Sequence, residues 1–308
     1  MTSVGETIQQ ATAKLSAAGI LTARLDAEVL LAFLWKCSRT QIIAGHEKLL
    51  SPADQQAFIA LISRRIEGEP VAYITAQKEF WGIPLKVSRS VLIPRPDTEI
   101  LVETVSKIAT NIVGADTKTT AERTTASGGV NGATSHRLVA ARGGITILEL
   151  GTGSGAVACA LASEGYRVTA TDISVDALTL AQENARRLKQ DITFVLSDLF
   201  ANIASRFHII VANLPYITDN EYEDLPISVR YYEPSLALRG GKDGLEVIRR
   251  VVAEAQNFLL PEGWLVLEIG SRQNEEIGKM FITNGYQLTE IIGDLAGLPR
   301  VALGRAPL

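Results

Sequence analysis

Apolar residues recur with two different spacings along this 308-residue chain. The spacing is helical at first: Phe58, Leu61, Ile62 and Ile66 fall at i, i+3, i+4 and i+8, which is one stripe of an amphipathic helix. Ahead of them, Ser51-Pro52-Ala53-Asp54 has the form of a capping box with Pro at the first helical position. Leu25 to Trp35 is denser in apolar residues and predicts a buried helix. Residues 1–70 therefore read as a small helical domain. The pattern changes over 71–96, where β-branched and aromatic residues surround Gly82 and predict a β-hairpin linking two domains. Pro94 and Pro96 in "IPRPDTE" (Ile93 to Glu99) stiffen the entry to a helix expected over Asp97 to Val113, with Asp97 and Glu99 suited to its first turn.

Residues 114–144 are dominated by Thr, Ala, Gly and Ser and hold almost no large apolar side chain, so a mobile surface insertion is expected there. From Ile145 the chain alternates strand and helix patterns. Strands are expected at 145–149, 167–171, 192–196, 207–212, 263–269, 286–291 and 300–305, and helices near 155–163, 174–189, 244–258 and 272–283. Such alternation predicts an α/β fold with a doubly wound, mostly parallel, seven-stranded sheet filling residues 97–308. Only about nine residues join the last two strands, too few for a crossover helix, which predicts an antiparallel pair at the sheet edge.

Composition narrows the function classes. Apolar content of 46% and charged content of 21% are ordinary for a globular protein. Two distant cysteines, Cys37 and Cys159, suggest neither a disulfide framework nor a Cys-rich metal site and fit a reducing, cytoplasmic compartment. His46, His136 and His208 share no ligand spacing, so no metal is expected. Residues 1–20 carry Glu6 and Lys14 without an apolar leader core, and no run is long enough to span a membrane. A net charge of −4 weighs against affinity built from many phosphate contacts, so nucleic acid is not an expected partner. Residues 1–70 balance seven Lys/Arg against seven Asp/Glu and do not form an electrostatic arm. With no long apolar stripe left over, a monomer is the expectation.

The candidate chemistry sits at predicted strand ends. "ILELGTGSGAVACALA" (Ile147 to Ala162) reads as strand, glycine turn and helix, with Gly151, Thr152, Gly153, Ser154 and Gly155 forming a loop over which a ligand can approach the backbone and the helix N-terminus. The second strand ends in Asp172, which stands 21 residues after Gly151 and is placed to accept both hydroxyls of a ribose. Because the glycine spacing departs from G-x-G-x-x-G, a single nucleoside is preferred over a dinucleotide. The third strand ends in Asp198, Leu199 and Phe200, where the carboxylate can accept from an adenine amine while the apolar pair packs on the ring. The fourth strand ends in "VANLPYI" (Val211 to Ile217). In an open α/β sheet the ligand crevice lies at the carboxyl ends of the strands, so Gly151–Gly155, Asp172 and Asn213 are expected to converge.

Together E-x-G-x-G-x-G, the strand-end acid and N-x-P-Y resemble class I S-adenosylmethionine-dependent methyltransferases acting on planar amino groups. "IPRPDTE", "LGTGSGA", "DLF", "NLPY", "YYEPSLALRGGKDGL" (Tyr231 to Leu245) and "PEGWLVLEIG" (Pro261 to Gly270), in this order, resemble the HemK/PrmC-type protein-(glutamine-N5) methyltransferases. The N-terminal segments "LSPADQQAF" and "RRIEGEPVAYI" extend the likeness to nearly the whole chain except 114–144. The resemblance implies S-adenosyl-L-methionine as co-substrate, and as protein substrate the Gln of the Gly-Gly-Gln motif in class I peptide-chain release factors. It implies a cofactor site at Gly151 to Gly155, Asp172, Asp198, Leu199 and Asn213, and a substrate clamp at Asn213, Leu214, Pro215 and Tyr216. The helical domain is then either a packing module or a docking surface for the protein substrate.

A carboxamide nitrogen is a poor nucleophile, so the clamp is expected to work by orientation. The Asn213 oxygen and the backbone carbonyl of residue 214 would accept the two N–H groups, and Tyr216 would stack on the amide plane. The family's usual N-P-P-Y becomes N-L-P-Y here. Leu214 keeps the carbonyl, and Pro215 still steers it to an extended conformation. N-L-P-Y also resembles the motif of ribosomal RNA adenine-N6 dimethyltransferases, which carry the glycine loop near the N-terminus and basic surfaces. The loop of this chain instead begins at residue 151, behind a charge-balanced helical domain. A catalytically silent, cofactor-binding interaction protein is the third reading, and the intact Asn213 and Tyr216 speak against it.

Overall fold

The computed structural model describes residues 2–123 and 142–308. The chain forms two compact units. The first comprises Met1–Gln77 together with Val87–Arg89 and Leu225–Glu233. Its helices are α1 (Val4–Ala17), α2 (Ala23–Leu34), α3 (Arg39–Ala44), α4 (Pro52–Ile66) and α5 (Val71–Thr75). Ser3 and Ser38 cap α1 and α3 in reciprocal capping boxes, and Ser51 accepts from the Asp54 N–H at the start of α4. Leu15, Leu30, Leu31, Phe58 and Ile62 share the core of this unit. The expected burial of α2 and α4 holds on one face only, since Leu25, Phe33 and Ile66 are exposed. Two acids of α2 are buried in ion pairs: Asp26 with Arg65 at 2.7 Å, and Glu28 with Arg24 and Arg39 at 2.9 and 2.7 Å.

The β-rich reading of 71–96 is corrected at its start, where Val71–Thr75 is helical. The hairpin itself pairs β1 (Gln77–Phe80) with β2 (Ile83–Lys86). After a 3-10 turn at Pro96–Thr98, α6 runs over Glu99–Arg123 and passes the expected end at Val113. The added stretch, Gly114 to Arg123, contains one Gly and no Pro, so every residue in it keeps the N–H that helical hydrogen bonding needs. Residues 124–141 of the expected insertion, His136 among them, lie outside the described residues.

The second unit, Lys78–Lys86 with Ser90–Asp224 and Pro234–Leu308, carries the doubly wound sheet. Its strands are β3 (Thr146–Leu150), β4 (Arg167–Asp172), β5 (Ile192–Leu196), β6 (Phe207–Ala212), β7 (Leu259–Glu268), β8 (Leu288–Gly293) and β9 (Pro299–Arg305), in the order β5-β4-β3-β6-β7-β9-β8. Only β9 runs antiparallel, paired with both β7 and β8, which places the expected antiparallel pair at the edge. This is the class I methyltransferase-like sheet expected from the sequence. Connecting helices include α7 (Ala156–Ser163), α8 (Val175–Leu188), α11 (Glu246–Glu254) and α12 (Asn274–Thr283), with the short α9 (Asp219–Glu223) after β6, whereas α10 (Ile227–Arg230) falls in the Leu225–Glu233 segment of the first unit. The central strands are apolar on both faces because helices cover both.

Strand register levels the carboxyl ends. Leu150 pairs with Thr171 on one side and with Ala212 on the other, while Ala212 pairs with Leu267. The residues just beyond these, Gly151, Asp172, Asn213 and Glu268, therefore emerge side by side. The strand order reverses between β3 and β6, the switch point at which open α/β sheets bind ligands.

Candidate active site

The glycine loop is shaped by contacts beneath it and space above it. Gly151, Gly153 and Gly155 all have φ in the left-handed region. A Cβ on Gly155 would press on Ala181 of α8 at 3.1 Å, whereas one on Gly153 would meet no atom within 4 Å. Asn184, buried in α8, donates to the Ser154 and Lys86 carbonyls at 2.9 Å each and so ties the loop to the hairpin. Gly155 has no side chain with which to cap α7, and of the first N–H groups the Glu149 carboxyl engages only that of Ala158, so the Ala156 and Val157 N–H groups are left for a ligand.

Asp172 is fixed by two backbone donors, Gly153 N at 2.8 Å and Ser174 N at 2.9 Å. Ser174 caps α8 through the Ala177 N–H, so Asp172 is not needed for that task. Asp198 is paired with Arg250 at 3.0 Å. Leu199 adopts φ +48° and is buried in the wall. Phe200 departs from the expected ring contact: it is turned into the core and stacks on Phe258 with centroids 4.6 Å apart. Glu149, one strand residue before the loop, is fully buried and accepts from the Thr152 hydroxyl at 2.6 Å. Burial pushes its carboxyl up to about 8, the neighbouring Asp172 charge adds to the rise, and the Thr152 hydroxyl opposes it.

At the end of β6, Asn213 Nδ2 donates to Thr98 Oγ1 at 3.1 Å. Leu214 is buried, and a Cβ on Gly151 would stand 3.3 Å from its Cδ2. The Tyr216 hydroxyl donates to Glu268 Oε1 at 3.3 Å, and burial followed by the Glu268 charge pushes the phenol up to about 12. Glu268 is itself raised by burial, against the opposing pull of the Thr98 hydroxyl, Arg300 and Tyr216. The backbone after the clamp is held by the "RGGKDG" loop: Gly240 N donates to the Ile217 carbonyl at 2.8 Å and Asp219 N to the Gly241 carbonyl at 3.0 Å, while Gln273 Nε2 donates to the Tyr216 and Gly244 carbonyls at 3.0 and 3.2 Å. A Cβ on Gly240 would sit 2.6 Å from the Pro215 carbonyl oxygen, so that position requires glycine.

One cavity of about 300 Å³ collects most of these groups. Gly151, Thr152, Gly153, Ser154, Asp172, Asp198, Leu199, Asn213, Leu214 and Pro215 line it. Gly155 lies under the loop, and Tyr216 stands behind Pro215 with its hydroxyl on Glu268, so neither lines the cavity. The walls also include Glu149, Thr98 and Arg95, and Leu236 from the "YEPSLAL" segment, none of which was singled out by pattern. Their signal lay in the quoted motifs that contain them. The open face of Gly153, the oriented Asp172 carboxylate and the first N–H groups of α7 suit a nucleoside bearing a short charged tail. Among the described residues no group of three or more His, Cys, Asp or Glu is placed to hold a metal ion, and no helix is long and apolar enough to cross a membrane.

The family model described as the PrmC N-terminal domain matches residues 6–75, and that described as a methyltransferase small domain matches residues 136–227. Release factor glutamine methyltransferase of Koribacter versatilis is 35% identical over 297 residues, covering 95% of this chain and 95% of that protein. The protein of the same name from Coxiella burnetii is 38% identical over 288 residues, covering 92% of each. That from Haemophilus influenzae is 36% identical over 291 residues, covering 91% of each. Both units align in one continuous match, the helical one as well as the sheet that bears the cavity, and the chain belongs to the release factor glutamine methyltransferase family.

Proposed function

We propose that this protein transfers a methyl group from S-adenosyl-L-methionine to the side-chain amide nitrogen of the Gln in the Gly-Gly-Gln motif of class I peptide-chain release factors. The observation that carries the reading is that Asn213 and Leu214 share one cavity with the glycine loop and Asp172. Gly151 to Ser154, Asp172, Asp198 and Leu199 would hold the co-substrate. When bound, it supplies an electrophilic sulfonium methyl group. Asn213 Oδ1 and the Leu214 carbonyl would each accept one N–H of the target amide. They fix its plane and draw electron density onto nitrogen as the new C–N bond forms and the S–CH₃ bond breaks. The proton leaves afterwards from an alkylated amide that is strongly acidic, so no strong base is required. Tyr216 supports the clamp from behind through Glu268.

The helical unit, residues 1–70 in the sequence reading, would dock the release factor. This activity belongs to translation termination and places the enzyme in the cytoplasm.

Labelled S-adenosyl-L-methionine is incubated with the protein and a purified release factor, with its Gln→Ala variant and with ribosomal RNA. Label is expected on the intact release factor alone. Asn213→Ala should abolish transfer while S-adenosyl-L-methionine still binds. Label on RNA, or unchanged turnover by Asn213→Ala, overturns the reading.

A further inference from the structure

A side chain outside the cavity fixes the far end of the clamp. Gln273 stands at the N-cap position of α12, yet its amide does not cap that helix. It bridges three backbone segments instead. Oε1 accepts from the Gly270 N–H at 2.9 Å, and Nε2 donates to the Tyr216 and Gly244 carbonyls at 3.0 and 3.2 Å. Each of these partners has a single possible role, since a backbone N–H only donates and a carbonyl only accepts. The amide is therefore held in one orientation, with its oxygen and both of its N–H groups used. A Cβ on Gly244 would stand 2.7 Å from Gln273 Nε2, so the meeting of these groups requires glycine there.

The Tyr216 carbonyl belongs to the peptide that closes the clamp. The N–H of the same planar unit, on Ile217, donates to the Leu238 carbonyl at 3.0 Å, so both edges of that unit are engaged. At the near end, Ala212 is paired in the sheet with Leu150 and Leu267. Only Asn213, Leu214 and Pro215 separate the two anchored residues. Pro215 has a locked φ, and Leu214 before it is steered to an extended conformation. Across so short and stiff a span, the direction of the Leu214 carbonyl follows from where the Tyr216 peptide is pinned. Leu214 and Pro215 line the cavity and Gln273 does not, so Gln273 acts on the site through the backbone.

We infer, resting on the glutamine-methylation reading, that Gln273 is a positioning residue for the target amide. By donating to the Tyr216 carbonyl it aims the Leu214 carbonyl at one of the two amide N–H groups.

The test uses the full chain, S-adenosyl-L-methionine and an intact release factor. Gln273→Glu keeps the length and the acceptor for the Gly270 N–H but sets a carboxylate oxygen against two carbonyls. Gln273→Met keeps the length and removes all three hydrogen bonds. Each should lower kcat at least about tenfold, toward the roughly hundredfold that a misplacement of about 1 Å can cost. The Kd for S-adenosyl-L-methionine and the KM for release factor should stay within about threefold, since the loss falls on an interaction realised at the reacting amide. Gln273→Glu should lose at least as much as Gln273→Met, although it retains the Gly270 contact. A wild-type protein that fails to label the release factor sinks glutamine methylation before any variant is compared. With an active wild type, full kcat in Gln273→Glu overturns the positioning role, because a residue needed only to hold Gly270 would behave in that way. Full kcat in Gln273→Met overturns it too, as does a kcat loss matched by weakened S-adenosyl-L-methionine binding. Should one variant not fold, the other decides by kcat against Kd; loss of folding in both makes Gln273 a purely structural residue and overturns the inference.

Discussion

Gly153 and Gly155 stand two residues apart in one loop, yet alanine should fail at each for a different reason. Both have positive φ, +55° and +79°. Placing alanine in the left-handed region costs about 1–2 kcal/mol at either position. At Gly155 the new methyl group would meet Ala181 Cβ at 3.1 Å and its Cα at 3.2 Å, and a backbone atom cannot swing aside. Overpacking adds about 1–3 kcal/mol, for a total near 2–5 kcal/mol. At Gly153 the methyl group would meet nothing within 4 Å, so only the backbone cost remains. It would, however, project into the open space of the cavity wall where the co-substrate is proposed to lie. Urea denaturation should show Gly155→Ala as the less stable variant by about 1–3 kcal/mol. Titration calorimetry should show the reverse order for S-adenosyl-L-methionine. Gly153→Ala should bind at least about tenfold more weakly than wild type, or 1.4 kcal/mol, and Gly155→Ala, at a temperature where it is folded, should lose little. Wild-type affinity in Gly153→Ala would refute the assignment of this loop face to the co-substrate. Equal stability of the two variants would refute the packing argument.

Two further outcomes follow from buried groups. The Glu149 carboxyl is raised to about 8 from 4.5, so the folded state holds its proton over pH values where the unfolded chain has lost it. Its contribution is thus full below the unfolded value and lost as pH rises toward 8, at up to about 1.4 kcal/mol per pH unit. Glu149→Gln should gain stability relative to wild type between pH 5 and pH 8 in urea titrations; parallel curves for the two proteins would show that Glu149 is not held neutral. Leu214→Ala should cost about 2–5 kcal/mol, because it empties a fully packed site against Gly151. Leu214→Pro, by contrast, should leave kcat within about tenfold, since the backbone carbonyl survives the change. A gain of several orders of magnitude in Leu214→Pro would mean that the Leu-bearing clamp is not competent.

The fold was legible where one signal dominated. β5 and β6 begin and end where periodicity put them, at Ile192–Leu196 and Phe207–Ala212, because turn residues bound both runs, although β6 is largely buried and β5 is a partly exposed edge strand. β7 starts four residues before its expected position, at Leu259, where Pro261, Glu262 and Gly263 read as a turn but lie within the strand. The N-terminal acids were invisible to pattern: Asp26 and Glu28 look like solvated charges on α2 until their arginine partners are seen. At the site, Gly151 to Ser154, Asp172 and Asn213 could be placed by counting to strand ends. Phe200 could not, because whether a ring after a strand end covers a ligand or dives into the core depends on Phe258, a residue 58 positions away. For Tyr216 the motif suggests a ring stacked on the target amide; what it does not reveal is that Glu268, at the end of the adjacent strand, accepts the Tyr216 hydroxyl.

Leu214 changes meaning between sequence and structure, and in doing so explains how the site can catalyse by placement. Counted from the motif, position 214 offers only a carbonyl, and its side chain looks like a departure to be tolerated. In the fold that side chain is the contact between the clamp and the cofactor loop, packed against Gly151. The two segments leave neighbouring parallel strands at paired positions, Leu150 and Ala212, about 4.8 Å apart in the sheet. Methyl transfer needs its reacting atoms held at about 3–3.5 Å and in line. Two strand ends fixed by register, spaced by one buried leucine, supply such a separation without the motion of a flexible loop. Of the nearby carboxyls, Glu149 is buried beneath the loop, where burial raises it to about 8, and Glu268 is buried with its Oε1 taken by the Tyr216 hydroxyl. The acceptors proposed for the target amide, Asn213 Oδ1 and the Leu214 carbonyl, would then be in position before it arrives, which is the arrangement a weak nucleophile with an activated methyl donor requires.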